Sequence, residues 1–144
     1  MSSGRASPPP ARAVRADAAN TSWASLPASP SAAREARRLV ARQCGQWAAG
    51  RNKPDLLDTA QLLTSELVTN AVIHGRSHVR LGITVSANGL RIAVADDNSR
   101  HPTPQPADPD ALDGRGLQIV ERLASSWGVD DNRFGKTVWF ELTG

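Results

Sequence analysis

The 144-residue sequence predicts an α+β domain, a two-layer sandwich in which helices cover one face of a mixed, mostly antiparallel sheet. Two observations predict this class. Two long helical patterns follow one another before a pair of strand-like segments, and a shorter helix separates that pair from a second pair. Because strands come in adjacent pairs instead of alternating with helices, antiparallel neighbours are favoured over crossover connections.

The N-terminal segment differs in composition from the rest of the chain. Residues 1–20 are rich in Ala, Ser, Pro and Arg, with Pro8, Pro9 and Pro10 in a row. Such a segment buries too little apolar surface to offset the entropy of ordering it. We therefore expect a disordered arm over residues 1–20 and a folded domain over residues 21–144. Residues 21–26 alternate weakly and predict a short edge strand.

Two helices are predicted next. Ser29 and Pro30 are typical of an N-cap and a first helical position, and the pattern then runs to about residue 49. The positions that recur at helical spacing are Ala36, Val40, Gln43 or Cys44, and Trp47, and Cys44 lies on the apolar side. The second helix begins at Pro54, with Asp55 as its expected N-cap, and ends before Gly75. Its apolar stripe consists of Leu56, Ala60, Leu63, Leu67 and Ala71, and Glu66 and Asn70 flank that stripe on one helix face.

The sequence from residue 78 onward predicts two pairs of strands, with a loop and a helix between the pairs. Residues 78–86 and 90–95 are strand-like, and Asn88–Gly89 is a strong hairpin signal. Residues 98–113 form a polar, proline-rich loop of a length typical of functional lids. A helix is predicted from Leu117 to about residue 125. Strands over 127–130 and 137–142 follow, joined by a turn at 132–136.

Charge and composition exclude several classes of protein. Residues 1–52 carry eight Arg and two acids, whereas residues 53–144 carry nine basic and twelve acidic residues, within a total of +3. The basic excess therefore lies in the first third, and we expect no direct nucleic-acid binding. A single cysteine excludes an internal disulfide. No apolar run reaches the roughly 18–20 residues of a membrane span, and no secretory signal is visible, so a cytoplasmic protein without membrane association is expected.

Three short motifs bear on whether the protein binds phosphate or metal. Gly135–Thr137 is similar to the end of a P-loop, but Asp130 stands at the first glycine position and a strand follows where a helix is required. The histidines and Cys44 lack zinc-ligand spacing. Gly114–Gly116 precedes the predicted third helix, whose free N–H groups and dipole favour an anion. Arg115 adds a charge-assisted contact to phosphate in this interpretation.

The order of four features is more specific than any one of them. Glu66 and Asn70 lie on one helix, Asp96 ends a strand, a loop leads to Gly114–Gly116, and the last strand begins near Thr137. This order resembles the ATP-binding (Bergerat) fold of the GHKL superfamily and is most similar to the bacterial anti-sigma-factor serine/threonine kinases. The segments SELVTNAVIHG, GRGLQIVERLASSWGV and GKTVWFEL carry the resemblance, which extends from about residue 22 to the C-terminus.

The resemblance implies ATP and Mg²⁺ as cofactors and a role for each matching residue. Glu66 matches the catalytic acidic residue that acts as general base or orients the nucleophile, and Asn70 matches the ligand of Mg²⁺. Asp96 matches the carboxylate that accepts a hydrogen bond from the adenine amine, a choice that favours adenine because a carboxylate only accepts. Thr137 matches a hydroxyl that supports adenine recognition. The remaining ATP-binding positions are Asn98, Gly114, Arg115, Gly116 and Leu117.

One segment departs from the superfamily pattern. The first glycine box reads Asp96-Asp97-Asn98-Ser99-Arg100, without glycine, and Asn98 stands at the first glycine position. Asp97 becomes the adenine ligand if the strand register shifts by one, whereas alternation with Ile92 and Val94 favours Asp96.

The resemblance also implies a function and two partners. The protein would bind a sigma factor and phosphorylate a serine on an anti-sigma-factor antagonist protein. A non-catalytic ATP-binding module that acts by partner capture is the alternative, and a nucleic-acid binder is a weaker third hypothesis. We expect any homodimer to form through the first helix or the edge strand.

Overall fold

The computed structural model describes residues 21–74, 78–96, 112–132 and 135–143. Its elements, in chain order, are β1 (Thr21–Pro27), α1 (Ala32–Gly50), α2 (Pro54–His74), β2 (His78–Ser86), β3 (Gly89–Asp96), α3 (Leu112–Leu123), β4 (Ser126–Asn132) and β5 (Gly135–Thr143). The sheet order is β1-β2-β3-β5-β4, and each neighbouring pair is antiparallel. The predicted α+β class is confirmed, and β1 is the expected edge strand. The predicted arm, residues 1–20, lies outside the described residues.

The helices form one layer against one face of the sheet. Cross-strand rows of apolar side chains cover that inner face, such as the row Ile83, Ile92, Phe140 and Trp127. The predicted apolar positions of α1 are buried, and so are Ala60, Leu63, Leu67 and Ala71 of α2. Burial of these side chains contributes most of the stability of the fold, at roughly 1.5–3 kcal/mol for each large side chain.

The helix starts differ from the sequence-based expectation. Helix α1 begins at Ala32, and Ser31, not Ser29, stands at its N-cap without a side-chain capping bond. The carbonyl of Ser29 instead accepts a hydrogen bond from the Ala32 N–H at 3.0 Å. Asp55 lies within the first turn of α2, not before it, where its negative charge still complements the helix dipole. Local capping chemistry therefore located both helices but misplaced their caps.

The turns and the third helix also differ from the sequence-based prediction. Ala87 and Asn88 form the two-residue turn, and Gly89 already pairs with Ser86 as the first residue of β3. A Cβ atom at Gly89 would collide with the carbonyl oxygen of Leu142, so the glycine is required by close backbone approach. Helix α3 begins at Leu112, five residues earlier than predicted. Strand β5 begins at Gly135, so the expected turn at 132–136 is shorter.

Cys44 is fully buried on the inner side of α1, as predicted for a structural thiol. Burial raises the pKa of this thiol to about 11, because desolvation disfavours the thiolate. The thiol is therefore protonated at neutral pH and is not a nucleophile. Among the described helices, none is long and apolar enough to cross a membrane.

Candidate functional site

A recess opens where the second half of α2 crosses the ends of β3 and β5. The recess is shallow, with an enclosed volume of about 10 Å³. Its lining consists of Leu67, Asn70, Ala71, Val94, Asp96, Lys136 and Val138. Four of these side chains are apolar and three are polar or charged. Apolar walls with a few convergent polar groups are typical of small-molecule sites.

Asp96 and Asn70 face each other across this recess from different elements. Asp96 lies on the inner face of the sheet with Ile92 and Val94, as the alternation in β3 predicts. The competing Asp97 lies outside the described residues. Asn70 projects from α2 and is only 8% exposed. Its Nδ2 has no hydrogen-bond partner within the described part of the chain. A buried amide donor without a partner is costly, so its presence in the recess points to a ligand acceptor.

Glu66 lies one helical turn before Asn70 and is half-buried. Burial raises the pKa of its carboxyl group above the ordinary value, because desolvation disfavours the charged form. A carboxylate with a raised pKa accepts a proton more readily, which is the property required of a general base. Glu66 itself does not line the recess, whose lining on α2 consists of Leu67, Asn70 and Ala71.

Lys136 is the site residue that sequence reasoning missed. Register pairs Lys136 directly with Asp96 across β3 and β5, and its Nζ lies 3.7 Å from Asp96 Oδ2. The two side chains are 4% and 2% exposed. Alternation along β5 could have revealed it, because Lys136, Val138 and Phe140 are two residues apart and therefore lie on the same face of the sheet. The prediction of a turn over 132–136 concealed it.

Thr137, in contrast, is not brought to Asp96. It pairs with Ala95 on β3 and with Asp130 on β4. Successive residues of a strand point to opposite faces, so Thr137 lies on the outer face of the sheet. Thr137 does not line the recess, and its support of adenine recognition stays a prediction from the resemblance. Lys136 occupies the position that the resemblance assigned to Thr137.

The remaining predicted residues belong to α3 or lie outside the described residues. Gly114, Arg115 and Gly116 are within α3 instead of preceding it. Gly114 and Arg115 fall among the first four residues of the helix, whose N–H groups have no intrahelical acceptor. Leu117 is 4% exposed and packs in the hydrophobic core, so its side chain does not line the recess. Asn98 lies outside the described residues.

The donor set fits a nucleotide with a magnesium ion better than a metal held by protein alone. The described residues contain no group of three or more His, Cys, Asp or Glu side chains able to hold a metal. Asn70 instead offers one hard amide oxygen, of the kind that suits Mg²⁺ when phosphate oxygens supply other ligands. Its unpartnered Nδ2 can donate to a phosphate, and Asp96 can accept from an amine.

The fold and the recess define a nucleotide-binding α+β domain in which one helix and two strand ends form the site. The chain belongs to the histidine kinase-like ATPase domain family, which its residues 26–142 match. No curated protein is similar enough to the chain to count as a match.

Among solved structures, the chain is similar to the histidine kinase domain of the blue-light activated histidine kinase from Erythrobacter litoralis EL346. The two are 24% identical with a TM-score of 0.48. The alignment covers 62% of this chain and 45% of the kinase domain, so it spans less than half of that chain's length.

Proposed function

We propose that this protein is an ATP- and Mg²⁺-dependent regulator of the anti-sigma-factor kinase type. In this proposal it binds a sigma factor and transfers the γ-phosphoryl group of ATP to a serine on an anti-sigma-factor antagonist. The observation that carries the ATP-binding part is the convergence of Asn70 and Asp96 in one recess of a histidine kinase-like ATPase domain. The partner assignment rests on the resemblance of the three sequence segments.

Each residue has a definite task in the proposed reaction. The serine oxygen of the antagonist attacks the γ-phosphorus, the bond to the β,γ-bridging oxygen breaks, and ADP leaves. Glu66 takes the serine proton, which its raised pKa favours. Asn70 would hold Mg²⁺, which would supply positive charge beside the phosphates. Asp96 accepts from the exocyclic amine of adenine and thereby positions the nucleotide.

A titration with MgATP tests nucleotide binding directly. Calorimetry on the wild-type chain should give a Mg²⁺-dependent affinity for ATP, and Asn70→Ala should weaken it at least tenfold. Asn88→Ala is the matched control, because Asn88 is exposed in the β2–β3 turn, far from the recess in the sheet. Wild-type affinity in Asn70→Ala, or no ATP binding by the wild-type chain, contradicts the proposal.

Phosphate transfer tests the kinase step separately. Labelled ATP is incubated with the protein and with antagonist proteins encoded in the same genome, and serine phosphorylation is followed. Glu66→Gln should lose transfer while it retains ATP affinity, and Glu35→Gln on the exposed side of α1 is the matched control.

A second candidate function is a non-catalytic module that binds ATP and acts by partner capture. The first glycine box motivates it, because the segment Asp96-Asp97-Asn98-Ser99-Arg100 contains no glycine. Tight MgATP binding with no transfer to any antagonist supports this candidate over the kinase.

A further inference from the structure

The Asp96–Lys136 pair is an unusual occupant of its place in the sheet. The next three cross-strand pairs of β3 and β5 on the same face are apolar, namely Val94–Val138, Ile92–Phe140 and Leu90–Leu142. Position 96–136 continues this row but contains two opposite charges that are almost completely buried. Lysine is rarely buried unless it is paired.

Stability does not explain the pair. Removing two charges from water costs several kcal/mol for each ion, and replacement of a buried ion pair by apolar residues is often neutral or stabilising. An apolar pair here would simply extend this row of apolar side chains. The pair lies instead where the row reaches the recess, and both members line it. A role in ligand recognition accounts for this position.

Acidic residues stand opposite Lys136 on both neighbouring strands. Asp96 lies opposite it on β3, and Asp131 lies opposite it on β4. Neighbouring strands are about 4.8 Å apart, so Lys136 stands between two acidic positions. An ammonium group donates only and a carboxylate accepts only. This end of the recess therefore presents one donor, the Lys136 ammonium group, beside one acceptor, the Asp96 carboxylate.

We propose that Lys136 determines base specificity by donating to the N1 ring nitrogen of adenine while Asp96 accepts from the adjacent amine. This inference rests on the proposed ATP site. Adenine carries its amine donor and its N1 acceptor side by side, which matches the pair. Guanine in the same orientation presents the O6 acceptor to the carboxylate and the N1–H donor to the ammonium. Guanine therefore makes two unfavourable contacts with the Asp96–Lys136 pair, whereas it would make only one with a carboxylate alone.

The ligand-side test needs no substitution in the protein. Calorimetry measures the Mg²⁺ complexes of ATP, 1-deaza-ATP and 7-deaza-ATP on the wild-type chain. Since a hydrogen bond to a charged group is involved, 1-deaza-ATP should bind about 10- to 100-fold more weakly than ATP. The 7-deaza analogue is the control, because N7 is not on the edge that faces the pair. Equal affinities for ATP and 1-deaza-ATP overturn the inference.

The protein-side test uses Lys136→Met, with Lys53→Met as the matched control. Lys53 is exposed between α1 and α2 and is the other lysine of the sequence. Lys136→Met should bind ATP about 10- to 100-fold more weakly than the wild-type chain and should no longer distinguish it from 1-deaza-ATP. Lys136→Arg should retain part of the distinction.

Three outcomes separate the possible failures. Tighter ATP binding by Lys136→Met overturns the inference, because Lys136 then competes with the amine for Asp96. Wild-type ATP binding without any dependence on N1 overturns this inference alone, and absence of ATP binding overturns the proposed function as well.

Discussion

Asp96→Asn should destabilise the fold as well as the nucleotide site. The substitution leaves the Lys136 ammonium group buried without the carboxylate that lies 3.7 Å from it. With an effective dielectric constant of about 20, a charge pair at this distance interacts by about 4.5 kcal/mol. Loss of one partner of a buried pair costs about 3–5 kcal/mol. We therefore expect a loss of about 3 kcal/mol in the free energy of unfolding.

Urea denaturation followed by circular dichroism measures this loss. With a slope of about 1.5–2 kcal/mol per molar urea, the midpoint should fall by about 1.5–2 M. The double variant Asp96→Leu/Lys136→Met should recover most of the stability, because it replaces the charges by apolar side chains that continue the row. Matched unfolding midpoints of Asp96→Asn and the wild-type chain would refute the assignment of a buried, mutually dependent pair.

The expected loss of stability affects any measurement of nucleotide binding by Asp96→Asn. A loss of ATP affinity in Asp96→Asn has two sources, the missing acceptor for the amine and the weakened fold. Binding must therefore be measured well below the unfolding midpoint of the variant. Analogues that alter the base, such as 1-deaza-ATP, avoid this difficulty because the protein is unchanged.

Three further predictions concern Glu66, Cys44 and Gly89. Because burial raises the folded-state pKa of Glu66, its stabilising contribution is present below the ordinary carboxyl pKa and is lost as pH rises through the folded-state value. Glu66→Gln should therefore be more stable than wild type at pH 7 and equal to it near pH 4, in urea titrations at both pH values. With a thiol pKa of about 11 and full burial, Cys44 should resist a disulfide reagent at pH 8 until denaturant is added; rapid native labelling contradicts its placement. Gly89→Ala should lower the unfolding temperature by several degrees, since its Cβ collides with the Leu142 carbonyl, whereas Ala87→Gly in the adjacent exposed turn should have a smaller effect.

Periodicity located most of the secondary structure because it depends on near neighbours. The apolar spacing of α1 and α2 predicted both helices, and strand alternation placed Asp96 on the inner face beside Ile92 and Val94. The same reasoning placed Glu66 and Asn70 on one helix face. Errors arose where local signals compete, as at Ser29 and Ser31, which both carry N-cap chemistry two residues apart.

The side chain that faces Asp96 depended on contacts that are distant in sequence. Strands β3 and β5 are separated by more than 35 residues, and their register decides whether Lys136 or Thr137 faces the recess. A shift of one residue turns every side chain of a strand to the other face. The sequence alone therefore determined the helices, the strands and the inner orientation of Asp96. Only the tertiary structure decided that a buried lysine completes the site, because register is set by the packing of the whole sheet.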